Sequence, residues 1–277
     1  MTRLNMHKNW LKTAALLVTS ALLTAGSVSG ALAQDKPRKA LFVYGGWKGH
    51  APDKYRDMIV PWLKSEGFEV TVSDTLEPYA DSKLMSEVDL IVQIWTQGTI
   101  TREQLSGLLK AVEGGVGLAG WHGGLGDSFH DSQRYEYMVG GQWVEHPGQD
   151  GVRYRVNITD HEDPVTHGLK DFDVVSEQYY MHVDPNNKVL ATTTFNGDHD
   201  PWVKGATMPV AWKKVYGKGR VFYTSLGHQP AVYDSPEALA ILHRGILWAS
   251  RSKYEGTPDL VSPMYPSSRP APPRPVR

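Results

Sequence analysis

Residues 89–95 read DLIVQIW. A continuous apolar run of this length belongs to a strand covered on both faces. Before it, residues 39–44 (KALFVY) form a second short apolar run closed by Gly45-Gly46, which predicts a buried strand entering a loop. Tyr55, Met58, Ile59, Trp62 and Leu63 then recur at helical spacing over residues 54–67, with Gly67 as the stop. Residues 68–74 alternate as a strand. Beyond DLIVQIW, Thr101 and Gln104 stand at capping-box spacing ahead of the stripe Leu105, Leu108, Leu109 and Val112. Gly114-Gly115 ends that helix, and residues 116–121 predict the next strand. The resulting β-α-β-β-α-β order predicts an α/β fold: a three-layer αβα sandwich around a mostly parallel sheet.

The second half is less regular. Residues 151–158, 189–195, 208–216 and 220–225 predict strands, the last two separated by a Gly217-Lys218-Gly219 turn. Residues 236–249 predict a closing helix carrying Leu239, Leu242, Ile246 and Leu247. No internal repeat and no composition break divides this body, so residues 34–257 are expected to form one domain.

The two ends read differently. Arg3, Lys8 and Lys12 precede an apolar run at residues 13–24, and Ala31-Leu32-Ala33 has the small-x-small pattern of a signal-peptidase site. The run is shorter than the ~20 residues of a membrane span. Residues 1–33 therefore predict a signal peptide cleaved near Ala33-Gln34, with a periplasmic or secreted product and no stable membrane insertion. Residues 258–277 are expected to form a disordered tail. Six prolines fall within residues 261–277 (VSPMYPSSRPAPPRPVR), so that stretch should be extended.

Composition narrows the chemistry. The 277 residues carry a formal net charge of −1, which gives no electrostatic reason to bind nucleic acid. The absence of cysteine excludes disulfides, a thiolate nucleophile and cysteine-held metals. No phosphate-binding loop and no G-x-G-x-x-G follow the first strand, so no nucleotide cofactor is expected. No serine sits in G-x-S-x-G. His161-Glu162 with His167 lacks the spacing of H-E-x-x-H and reads as a polar turn before Pro164.

Histidines remain. In open α/β sheets, ligands bind beyond the carboxyl ends of the strands. His122 follows a predicted strand within Gly120-Trp121-His122-Gly123-Gly124, and His228 follows the last strand within Thr224-Ser225-Leu226-Gly227-His228. Glycines two before and two after His122 permit a tight strand-to-helix turn that projects one side chain into the cleft. His146 and His182 lie in the stretches GGQWVEHP and EQYYMH. Imidazoles act as acid, base or metal ligand. Three of them, or two with Glu145 or Glu177, would suit a divalent ion such as zinc or manganese. Metal coordination and plain acid–base use both stay open. Trp47, Trp95 and Trp121, at or just after strand ends, suit the apolar faces of sugar rings as well as they suit a core.

At these residues the sequence resembles the ThuA-like (trehalose utilisation) family of the class I glutamine amidotransferase-like superfamily. The matching stretches are FVYGGWKGH, GLAGWHGG, VGGQWVEHPG, DHEDPVTHGL, EQYYMHVDP and GKGRVFYTSLGH. The resemblance implies a flavodoxin-like fold, with His122 where amidotransferases keep their cysteine and His228 near their catalytic histidine. Amidotransferase activity is therefore not implied. Where the family often has Asp-Glu before the aromatic, this chain has Ser176-Glu177-Gln178-Tyr179; Glu177 keeps one carboxylate in place.

The resulting expectation is an exported enzyme acting on a small carbohydrate, a glycoside or 3-keto-glycoside of the trehalose type. Its catalytic residues would be His122, His228 and Glu177. Trp47, Trp95, Trp121, Glu145 and Tyr179 would bind substrate. Any divalent metal would be held by His122, His146, His182 and His228. The alternative is a periplasmic sugar-binding protein without chemistry.

Overall fold

The computed structural model describes residues 37–260. The signal peptide read at residues 1–33 and the proline-rich stretch 261–277 lie outside the described residues.

Eleven strands and six α-helices follow one another along the described chain. The first half runs β1 (Arg38–Gly46), α1 (Pro52–Ser65), β2 (Phe68–Ser73), α2 (Ser82–Glu87), β3 (Leu90–Thr96), α3 (Arg102–Glu113), β4 (Gly117–Trp121) and α4 (Gly123–Gly126). The second runs α5 (Gln133–Val139), β5 (Gly141–Glu145), β6 (Val152–Ile158), β7 (Phe172–Ser176), β8 (Tyr180–Val183), β9 (Lys188–Thr194), β10 (Thr207–Tyr216), β11 (Gly219–Thr224) and α6 (Pro236–Ser250). Nine strands form one sheet in the order β2-β1-β3-β4-β11-β10-β9-β6-β7. It is parallel from β2 through β11 and continues antiparallel from β10 to β7. β5 and β8 pair separately.

Strand alternation builds the two layers that cover this sheet. Phe42, Val92, Ala119, Trp121 and Phe222 pack with Tyr55, Ile59 and Leu63 of α1 and Ile241, Leu242 and Ile246 of α6. Their neighbours Leu41, Val43, Ile91, Leu118, Val221 and Tyr223 face the other way, against Leu108, Leu109 and Val112 of α3 and Tyr135 and Met138 of α5. Helices on both faces explain why the parallel strands read as unbroken apolar runs. Each fully buried large side chain contributes about 1.5–3 kcal/mol of transfer free energy. The α/β sandwich expected from the first half is thus the architecture found.

The capping box forms as spaced. Thr101 Oγ1 accepts from Gln104 N at 3.2 Å, and Gln104 Oε1 accepts from Thr101 N at 3.0 Å. Sequence periodicity missed α2, α4, α5, β5, β7 and β8. All are four to seven residues long, too short for a period of 3.6 or 2 to stand out. α2 owes its start to Asp81, whose carboxylate accepts from Lys83 N and Leu84 N. No helix among the described residues is long and apolar enough to cross a membrane.

The chain leaves β1 through α1 to β2 on one side of it, then returns to place β3 on the other. That switch opens a crevice at the carboxyl ends of β1 and β3. The candidate site lies there.

Candidate metal centre

Four chain segments deliver one side chain each. His50 ends a short 3-10 turn, Lys48–His50, just after β1. His122 follows β4 directly, Glu177 follows β7, and His228 lies four residues past β11. All four are buried, and one ligand atom from each lies within 4.8 Å of the others.

The turn at His122 is strained by design of the elbow. Its φ of 48° with ψ of −144° is a conformation that side chains other than glycine rarely adopt, costing about 1–3 kcal/mol. His122 N donates to Thr224 O at 2.7 Å, tying the elbow to the end of β11. Gly123 is required for a different reason. A Cβ there would stand 2.4 Å from His50 Cε1, so the missing side chain is what makes room for the second imidazole. Tyr179 stacks on His122 with ring centroids 4.0 Å apart.

Hydrogen bonding then sets which atom each ring presents. Ser225 O, 2.7 Å from His122 Nδ1, can only accept, so Nδ1 carries hydrogen. Burial lowers the His122 imidazolium to about 4, against the opposing pull of Glu177, and the ring is neutral at pH 7. Its Nε2 then offers a lone pair to Glu177 Oε2, 3.0 Å away. Burial would raise the Glu177 carboxyl, but the imidazoles of His122, His228 and His50 around it outweigh burial and hold it far below the usual range, so it is a carboxylate. Two acceptors at hydrogen-bond distance need a cation to hold them, whether a proton or a metal ion.

The other rings converge on the same carboxylate. His50 Nδ1 is 2.8 Å from Thr96 Oγ1, leaving Nε2 facing Glu177 Oε2 at 3.8 Å. His228 Nδ1 lies 3.2 Å from Glu177 Oε1 but off the hydrogen-bond direction, a buried nitrogen without a hydrogen-bond partner. Burial lowers the His228 imidazolium and Glu177 outweighs it, leaving it raised. Three imidazoles and one carboxylate, two of the rings anchored through their far nitrogens, match what zinc or manganese requires of its ligands and their outer partners. His50, His122, Glu177 and His228 could therefore hold a divalent ion.

The sequence-predicted residues are only partly brought together. His122, His228 and Glu177 meet. His146 stands beside them, Nε2 3.5 Å from Glu177 Oε1, but outside the group of four. His182 is a correction: it is exposed on β8, where alternation buries its neighbour Met181 instead, and it cannot join this group. Trp121 is a second correction. It is 0% exposed and packs edge-on to Tyr55 in the core, because alternation along β4 turns it toward α1, so no sugar can lie on it.

Trp47 is 49% exposed with its ring edge-on to His50 at 4.7 Å, and Trp95 is half-buried. Tyr179 is buried against His122, and Glu145 is exposed, its Oε1 accepting from His146 N at 2.9 Å. Sequence reasoning passed over His50 and Thr96. The rule that cleft residues follow strands applies to both, and the quoted stretch FVYGGWKGH ends on His50.

Comparison with known proteins agrees with this architecture. The model of the ThuA family, described as trehalose utilisation, matches residues 39–249. A ThuA-like protein from Bacteroides uniformis superposes with a TM-score of 0.66 at 18% identity, covering 78% of this chain and 92% of its own. A ThuA-like protein from Parabacteroides merdae gives 0.61 at 21% identity, covering 78% and 90%. At these identities the likeness concerns the fold. A search among curated proteins gave no match. With a family match that spans three-quarters of its length and both sheet and elbow in place, the chain belongs to the ThuA (trehalose utilisation) family.

Proposed function

We propose that this ThuA-family protein is an exported carbohydrate-processing enzyme that cleaves or converts a glycoside or 3-keto-glycoside at the His50–His122–Glu177–His228 cluster, with a divalent metal bound there. The observation that supports it most is the convergence of His50, His122, Glu177 and His228, all buried, with one ligand atom from each within 4.8 Å of the others. An arrangement of that kind is costly in a purely structural core. Export is supported by the leader pattern of residues 1–33.

A bound ion would supply Lewis acidity toward a carbonyl or hydroxyl oxygen of the sugar. The chain's own residues do the rest. His50, His122 and His228 fix the centre, with Thr96 and Ser225 orienting two of the rings. His146 is partly exposed and 3.5 Å from Glu177 Oε1, placed to take and return a proton at the edge of the cluster. On a 3-keto-glycoside, the carbonyl acidifies the C2–H bond. A base removes that proton, the C1–C2 double bond forms as the C1–O glycosidic bond breaks, and the departing alkoxide is protonated.

The test is chelator-stripped protein reloaded with zinc or manganese and incubated with glucosides and their 3-keto forms. Metal-dependent release of the aglycone is expected. No turnover of either form, with or without metal, overturns the reading. A sugar binder without chemistry would retain the intact ligand.

A further inference from the structure

Among the described residues, five that are not glycine hold a positive φ: Ala51, Gln97, His122, Phe129 and Gln149. Each such residue costs about 1–3 kcal/mol and persists only where its surroundings fix it, a pattern that gathers at functional sites. Four of the five flank or belong to the candidate metal centre. Ala51 follows His50, Gln97 follows Thr96, and His122 is one of the four ligand residues. Gln149 precedes Asp150, whose Oδ2 is 3.7 Å from His228 Nε2. Phe129 alone lies elsewhere, between Asp127 and His130.

Asp127 and His130 form an ion pair, His130 Nε2 against Asp127 Oδ1. Only α4 separates Asp127 from the His122 elbow, and Asp127 N donates to Gly123 O at 3.2 Å. β3 pins the same segment: Gln97 N donates to Asp127 O at 2.7 Å, and Ser128 Oγ donates to Trp95 O at 2.6 Å. Asp127 is buried, whereas His130 is exposed. Burial pushes the Asp127 carboxyl up from its ordinary value, while His130 and then His50 pull it down. The carboxylate therefore feels the metal centre on one side and His130 on the other.

β5 ties His130 to the cleft. Gln142 Nε2 donates to His130 Nδ1 at 2.9 Å. The next residue, Trp143, stands edge-on to His130 with ring centroids 6.2 Å apart, and its ring is 5.4 Å from that of His146. One indole thus carries two imidazoles, and His146 Nε2 is in turn 3.5 Å from Glu177 Oε1. A buried carboxylate holding one nitrogen of an imidazole fixes its tautomer and orientation and leaves the other nitrogen to exchange protons.

We infer that His130, positioned by Asp127, is the acid that protonates the departing oxygen of the glycoside, a role separate from that of His146. The inference rests on the elimination proposed above and deepens it. His146 takes the proton from C2, the electron pair of that bond forms the C1–C2 double bond, and the C1–O bond breaks. The leaving oxygen takes its proton from His130 Nδ1, in the place of the Gln142 amide. His130 returns to neutral with its Nε2–H still on Asp127, and both imidazoles then re-equilibrate with water.

Steady-state kinetics of the zinc-loaded protein on methyl and 4-nitrophenyl 3-keto-glucosides test it. Methoxide is a poor leaving group that needs an acid, whereas 4-nitrophenolate departs without one. His130→Ala should lose about 100-fold or more in kcat/KM on the methyl substrate, the usual worth of general acid catalysis, and less than about tenfold on the nitrophenyl one. Its zinc stoichiometry should be unchanged. Asp127→Asn should show the same dependence on the leaving group, which a merely structural role would not produce. Undiminished activity in His130→Ala, equal losses on both substrates in either variant, or wild-type turnover of the nitrophenyl substrate alone overturns the inference and leaves the reaction standing. No turnover of either substrate by the wild type overturns both readings.

Discussion

Thr96 Oγ1 lies 2.8 Å from His50 Nδ1, and this contact decides which edge of the imidazole meets Glu177. Thr96 is the last residue of β3 and is buried. Its hydroxyl therefore comes from the rigid sheet, whereas His50 comes from a three-residue turn. The strand orients the loop. Outer partners of this kind typically account for 10–100-fold in metal affinity.

Thr96→Val keeps the shape and removes the hydroxyl. Zinc affinity, measured by competition with a chromophoric chelator, should fall by about tenfold or more. The fold should survive, since Val suits the strand end. An unchanged affinity would show that His50 does not need this partner, or is not a ligand.

Glu177→Gln should lower two measurements. Metal affinity should fall by well over the roughly 10–100-fold of an outer partner, because the only carboxylate of the group is lost. Metal-free stability at pH 7 should fall as well, because the surrounding imidazoles hold the Glu177 carboxyl far below its usual range, so the folded state favours a carboxylate there over a neutral group. Chemical denaturation of chelated wild type and variant reads the second effect. A metal-free variant as stable as the wild type would contradict the charged state assigned to Glu177.

How much of this was legible in the chain follows from where each interaction lies in sequence. DLIVQIW and KALFVY announce covered strands because each run is local and buried on both sides, and Thr101 with Gln104 announces a helix start because the partners are only three positions apart. His122 was visible for a related reason, since the glycines that permit its elbow are its near neighbours. Glu177 and His122 meet across 55 positions, and no local period encodes that meeting. It depends on Tyr154 Oη donating to Glu177 O at 3.2 Å and on Gln178 Nε2 donating to Thr193 Oγ1 at 2.8 Å, which pin the segment after β7. Trp121 misled because a strand-end aromatic can face cleft or core, and only the parity of β4 against α1 decides it.

Gly123→Ala tests the elbow as a seat for His50. The added Cβ would sit 2.4 Å from His50 Cε1 and 2.6 Å from Nδ1, so the ring must leave Thr96. Overpacking of this kind costs about 1–3 kcal/mol, read as a lower denaturation midpoint, and zinc affinity should fall with it. His50→Ala in the same chain should recover much of the stability and none of the zinc affinity, since the two sites share one contact. Additive losses in the double variant would mean that Gly123 is required for something other than His50.

Away from the site, His243 on α6 stacks on Trp62 of α1, ring centroids 3.8 Å apart and planes within 4°. Burial lowers its imidazolium below the ordinary 6.5. The unfolded chain therefore binds the proton more readily than the folded one, and stability from this residue is full above pH 6.5 and is lost as pH falls through the lowered value. His243→Gln removes the stack and the titration together. Relative to wild type it should be destabilised at pH 7.5 by about 0.5–1.5 kcal/mol, the range of an aromatic pair. By pH 5.5 that deficit should shrink, because only the wild type then carries the burden of a proton taken up preferentially by its unfolded state. Urea midpoints of both proteins at the two pH values give the comparison. A deficit that widens on acidification would mean that the stacked imidazole prefers to be charged, as a cation over the indole face would.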